Sequence, residues 1–146
     1  MNLYKGGAWM KERMLEICFR DYDGYKMVQD CVLQYIKQVL RCPNPSIEVA
    51  LNEAVNNALC HGAGKRVIIK LGIIGGKRLV IRVKDKGGGF AASKYLESEE
   101  EDLFSESGRG IYLMKMLTDC LRYNKKGNEV LLMKRISVQG QEEAFG

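Results

Sequence analysis

Three groups of residues in this 146-residue chain could do chemistry. The first is Glu53, Asn57 and His61, spaced i, i+4, i+8. On a helix they drift only ~80° around the axis and form one stripe. Glu53 can take a proton from an attacking hydroxyl, and Asn57 offers a neutral oxygen to a hard cation such as Mg²⁺. Taken alone, the stripe reads equally as the polar edge of an ordinary helix. The second group is Asp85 followed by Gly87-Gly88-Gly89. Asp85 shares strand parity with Leu79, Ile81 and Val83, so it points toward the core, where an unpaired carboxylate is costly. The exocyclic amine of a purine would supply its partner, and the glycines let backbone approach a flat ligand. The third is Ser107-Gly108-Arg109-Gly110 at a helix start, where free backbone N–H groups and the dipole favour phosphate and Arg109 adds charge. Each glycine motif alone is weak, since most such turns only join elements.

The elements that must carry these groups follow from periodicity. Lys11–Arg20 reads as a first strand. Gly24–Arg41 reads as a helix with Val28, Val32, Tyr35 and Val39 on one stripe. Asn44-Pro45 starts a second helix, Asn as N-cap and Pro in the first turn. Its apolar side is Ile47, Ala50, Leu51, Ala54, Val55 and Ala58. The Glu53 stripe lies beside that side, so partial burial is expected, and Gly62 and Gly64 stop the helix. Val67–Ile73 and Leu79–Val83 alternate as strands around a Gly75-Gly76 turn. Arg66, Lys70, Arg78, Arg82 and Lys84 fall on the opposite face, which predicts a sheet with one side free. Gly110–Thr118 reads as a short helix with Leu113, Met114 and Leu117 inward. Leu121–Asn124 and Val130–Ile136 form a last hairpin around Lys126-Gly127-Asn128. The fold class expected is an α/β two-layer sandwich, a mostly antiparallel mixed sheet with helices on one face. The domain spans residues 11–137, with flexible ends at 1–10 and 138–146.

Composition narrows the setting. Hydrophobic residues are 46% and charged residues 28%, which excludes a disordered or low-complexity chain. No aliphatic stretch approaches the ~20 residues of a membrane span, and Met1–Trp9 lacks the apolar run of a signal peptide, so a soluble cytoplasmic protein is expected. The five cysteines form no CxxC, which argues for free thiols rather than a disulfide framework. A single histidine excludes a multi-His metal site. The net charge is +5, yet Glu97–Glu106 holds six acids and no base. A basic body with one acidic loop fits an anionic ligand or an acidic partner, or simply a solvated surface. The basic sheet face lacks the interleaved aromatics that base stacking uses, so direct nucleic-acid binding is not expected.

In order and spacing, NEAVNNALCHG (Asn52–Gly62), KDKGGGF (Lys84–Phe90) and SGRGIYLM (Ser107–Met114) resemble the N box and the two glycine boxes of the GHKL ATPases, whose fold is the Bergerat-type ATP-binding fold. The likeness covers roughly Lys11 to Arg135 and is closest to the stand-alone anti-sigma-factor serine/threonine kinases. The resemblance implies that Glu53 is the general base and Asn57 the Mg²⁺ ligand. It makes Asp85 the adenine reader, with Gly87 and Gly89 as its supporting turn, and Gly108, Arg109 and Gly110 the phosphate-holding segment. Phe90–Ser107 would be an unusually acidic ATP lid, mobile without nucleotide. His61 ends the N box, as part of the nucleotide site or as a structural residue. One departure stands out: many relatives carry a threonine pair after the glycine of the last hairpin, whereas here Gly127 is followed by Asn128 and Glu129.

The implied activity is ATP-dependent phosphorylation of a serine on an anti-sigma-factor antagonist, combined with sequestering of a sigma factor. The cofactors implied are ATP/ADP and Mg²⁺, the partners a sigma factor and its antagonist, and the assembly a homodimer. The alternatives are another GHKL ATPase, a histidine-kinase-like ATP-binding domain, or a sequestering module that transfers nothing. A single histidine and the lack of a dimerising helical hairpin speak against a self-contained histidine kinase.

Overall fold

The computed structural model describes residues 14–41, 43–89 and 106–136; of Glu106 and Ser107 it describes only the backbone. The expected flexible ends and most of the lid-like segment Phe90–Ser107 lie outside the described residues. In chain order the elements are β1 (Leu15–Phe19), α1 (Tyr22–Leu40), α2 (Pro45–His61), β2 (Val67–Ile74), β3 (Arg78–Asp85), α3 (Glu106–Leu117), β4 (Cys120–Tyr123) and β5 (Glu129–Arg135). The sequence of strands and helices is the one that periodicity predicts.

The five strands form one sheet in the order β1-β2-β3-β5-β4. Every pairing among them is antiparallel. Alternation divides the strands between two faces. Leu15, Ile17, Val67, Ile69, Leu71, Leu79, Ile81, Val83, Val130 and Leu132 face the helices and belong to the core. Lys70, Arg82, Lys84 and Glu129 face the other way. The β2–β3 turn runs through Gly75 and Gly76, both at positive φ (61° and 67°), which suits the twist of a tight hairpin.

The helices carry the cover. Asn44 caps α2, its side chain accepting from the Ile47 amide at 3.0 Å, with Pro45 in the first turn. All six residues expected on the apolar side of α2 are buried. Helix α1 starts two residues earlier than expected because Asp21 caps it, accepting from Gly24 N at 2.7 Å. Its inner stripe is centred on Tyr25, Val32, Ile36 and Leu40, with Val28, Tyr35 and Val39 on the flank. Tyr25 ties α1 to α2 by donating its hydroxyl to Asn52 Oδ1 at 2.7 Å.

Helix α3 departs most from expectation. It begins at Glu106 rather than Gly110, so the last two residues of the lid-like segment already belong to it. Two glycines lower helix propensity there and hide the pattern, while Ile111 and Met114, both fully buried, anchor the helix to the core. Cys18, Cys31, Cys60 and Cys120 are free thiols. No described helix is long and apolar enough to cross a membrane.

Candidate functional site

The site lies where α2, the end of β3, the start of α3 and the β4–β5 hairpin meet. Glu53 is half-buried and Asn57 is only 5% exposed, as their place beside the apolar side of α2 predicts. Gly110 of α3 faces them. A Cβ built there would lie 3.0 Å from Glu53 Oε2 and 3.3 Å from Asn57 Nδ2, tighter than side chains tolerate without shifting. A missing side chain therefore lets the two helices close around the carboxylate and the amide. Because α3 starts at Glu106, Gly108 and Arg109 lie in its first turn and Gly110 just beyond it. Gly110 thus contributes space. Gly108 is buried and Arg109 exposed.

Asp85 ends β3, 3% exposed, on the helix side of the sheet as its parity requires. Its Oδ1 accepts from the Gly87 amide at 2.8 Å. Burial pushes its carboxyl above the ordinary value; the Gly87 amide, the His61 charge and Lys126 pull it back in part. The glycine turn folds tightly against α2: a Cβ on Gly87 would stand 2.7 Å from the His61 carbonyl and 2.8 Å from Gly62 Cα. This places His61 beside Asp85, at the far end of the stripe from Glu53. Gly89, at φ 79°, passes against the Lys126 carbonyl, which joins the turn to the last hairpin.

Three residues of that hairpin belong to the site: Tyr123 and Lys126, which no motif marked, and Asn128, where the chain departs from the threonine pattern. Tyr123 shares the core parity of Leu121 and lines a small gap with Asn57 and Asp85. Burial pushes its hydroxyl up to about 12, with the Asn57 side chain lowering and the Asp85 charge raising it. Lys126 acts on Asp85 through its charge. Asn128 bonds to β3 twice: its carbonyl accepts from Asp85 N at 2.9 Å, and its Nδ2 donates to the Asp85 carbonyl at 3.3 Å. The tip is set by Asn124 Oδ1, which accepts from the amides of Gly127, Asn128 and Glu129. Glu129 points to the other side of the sheet, bonded to Arg82. The departure from the threonine pattern thus places an asparagine against the Asp85 backbone and removes the acid from the site.

Asn57 Nδ2 is buried, and among the described residues it has no hydrogen-bond acceptor. An orphaned buried amide costs about 1–3 kcal/mol, which suits a side chain whose partner arrives with a ligand. Among the described residues no three His, Cys, Asp or Glu side chains gather around a common point. A divalent ion would therefore rest on the Asn57 oxygen and on the phosphates of the ligand, which is how Mg²⁺ usually binds. The donor set fits it.

A buried carboxylate, a glycine turn beside it and a Glu–Asn stripe facing the first turns of α3 are compatible with one extended ligand, a nucleotide with its base at Asp85 and its phosphates toward Asn57. Residues 32–134, well over half of the chain, match the histidine kinase-like ATPase domain. The chain belongs to that family, of GHKL type, and its function is GHKL-like ATP binding. A search of curated proteins finds no match.

Proposed function

We propose that this ATP-binding domain is a protein serine/threonine kinase that phosphorylates a serine of an anti-sigma-factor antagonist and also sequesters a sigma factor. The observation that carries the reading is the half-buried Glu53, held with Asn57 against Gly110. A domain that only held nucleotide would need the amide and the aspartate but no carboxylate at that position.

Asp85 accepts a hydrogen bond from the exocyclic amine of adenine and so orients the base. The positive end of the α3 dipole, with the Arg109 charge, steadies the phosphates. Asn57 would hold a Mg²⁺ ion, which would supply neutralisation of phosphate charge. Glu53 takes the proton of the acceptor serine as its oxygen attacks the γ-phosphorus. The new O–P bond forms, the bond to the β-phosphate oxygen breaks, and ADP leaves. The sequence likeness to anti-sigma-factor kinases supports the choice of acceptor and partner, and it supports a homodimer in the cytoplasm.

The test is Glu53→Gln, which keeps shape and packing but cannot take a proton. Phosphotransfer to the antagonist serine should fall ~10²–10⁴-fold, with ATP affinity nearly unchanged because Asn57 and Asp85 remain. Equal transfer rates in the two proteins would remove Glu53 from the mechanism. No transfer by either, with ATP-dependent partner binding by both, would make the protein a sequestering module.

A further inference from the structure

The open face of the sheet is divided in two. Toward β1 its charges are matched: Lys70 pairs with Glu16 at 3.8 Å, Arg82 with Glu129, and Lys84 with Glu129 at 3.9 Å. Toward the opposite edge, Arg78, Arg122 and Arg135 are exposed, and none has a carboxylate within ion-pair distance among the described residues. Arg78 and Arg135 are direct cross-strand partners, an arrangement of like charges that destabilises a sheet. Among the described residues the one acid there, Asp119, is already engaged, pairing with Lys134 at 3.8 Å and accepting from the Arg135 amide at 2.6 Å. The three arginines rim a groove of about 450 Å³ floored by the half-buried Leu131 and Met133.

We infer that this groove docks an acidic segment of a partner protein, in extended form, with apolar side chains on Leu131 and Met133 and carboxylates reaching the three guanidinium groups. Three observations converge on that occupant. An arginine pair held face to face lacks the anion that would offset its repulsion, and guanidinium forks grip carboxylates bidentately. The floor is apolar, which suits side chains rather than a sugar–phosphate strand. A second copy of this chain would bring three more arginines onto these three, so the face repels itself. The groove follows β5 from Leu131 to Arg135, five residues spanning ~13 Å, so it holds about five residues of extended peptide. The inference does not rest on the kinase reading, because the groove lies on the other side of the sheet from Asp85 and Asn57.

The probe is a fluorescein-labelled octapeptide alternating glutamate and leucine, titrated against the full chain and followed by anisotropy. Saturable binding is expected that weakens with added salt. It should fall at least tenfold in a combined R78Q, R122Q and R135Q variant and be largely kept when the same positions become lysine. ATP binding should be equal in all three proteins. Should the glutamine variant fail to fold, a peptide with lysine in place of glutamate keeps the test sharp on the wild type, since equal binding of the two peptides defeats the inference. It is overturned equally by no saturable binding, by unchanged affinity in the glutamine variant, or by an oligothymidylate that binds more tightly than the peptide. Self-association of the wild type that the glutamine variant abolishes would also overturn it, making the face an interface between copies.

Discussion

Asp85 and Glu129 are two carboxylates at the same end of one sheet, on neighbouring strands, and they are treated in opposite ways. Glu129 faces the open side, pairs with Arg82 and Lys84, and keeps 19% of its side chain exposed. Asp85 faces the helices, 3% exposed, bonded to one backbone amide and, among the described residues, in no ion pair; His61 and Lys126 act on it through their charge. Lys84, next to Asp85 in sequence, pairs with Glu129 on the other face of the sheet. A carboxylate completed by its own chain is a structural part. Asp85, buried with the Gly87 amide bonded to it, is the carboxylate proposed to read a ligand. The two halves of the open face repeat the contrast, with matched charges near β1 and unmatched arginines near β4.

The sharpest way to break this comparison is to neutralise each acid in turn. Asp85→Asn turns a charged acceptor into an amide, and a hydrogen bond to a charged group is worth about 1.5–3 kcal/mol. ATP affinity measured by calorimetry should fall about 10–100-fold. Glu129→Gln should leave ATP affinity within about twofold of the wild type. Similar losses from both would erase the distinction between a ligand-reading and a structural carboxylate.

Much of this was legible in the sequence. Parity put Asp85 inside, the apolar side of α2 put Glu53 and Asn57 at its border, and Asn44-Pro45 fixed where α2 starts. What escaped has physical reasons. The first turn of α3 is glycine-rich, so propensity argued against helix where packing on α2 and the burial of Ile111 impose it. The α1 stripe was read from valines and a tyrosine, while the bulkier Ile36 and Leu40, one position on, take the inner face. Tyr123 and Lys126 join the site only through the pairing of β5 with β3, a long-range register that no local pattern encodes, whereas Asn128 was marked by its departure from the threonine pattern. The sign on Glu129 was also hidden: its proximity to the glycine suggested the base pocket, but alternation along β5 sends it to the far face.

A smaller effect concerns stability. Breaking a partly buried ion pair leaves Arg82 without its main partner, so Glu129→Gln should lower unfolding stability by ~1–2 kcal/mol, less than for a fully buried pair. Denaturant titration would read this as a lower midpoint at constant slope. Asp85→Asn should move stability the other way at neutral pH, because it removes a buried charge that the chain leaves incomplete. If both variants lost stability equally, Asp85 would be as structural as Glu129.

The smallest expected effect is the pH dependence of that gain, and its sign follows from Asp85 alone. Its carboxyl in the folded protein is raised above the unfolded value of 3.8, chiefly by burial, against the opposing pull of the Gly87 amide, His61 and Lys126. Between the two values the folded state holds more protons than the unfolded state, so this group makes stability fall as pH rises through that interval. Below 3.8 the acid is neutral in both states and the penalty is gone; above the raised value the penalty is complete. Asp85→Asn has no proton to lose. The stability advantage of the variant without nucleotide should therefore be largest near neutral pH and shrink as pH is lowered toward 3.8. Taking the difference between the two proteins at each pH removes the shared titration of the remaining acids. With saturating ATP the order should reverse, since the ligand stabilises the protein that binds it more tightly. A difference that is flat with pH, or that grows on acidification, would mean that Asp85 is already satisfied within the fold, like Glu129.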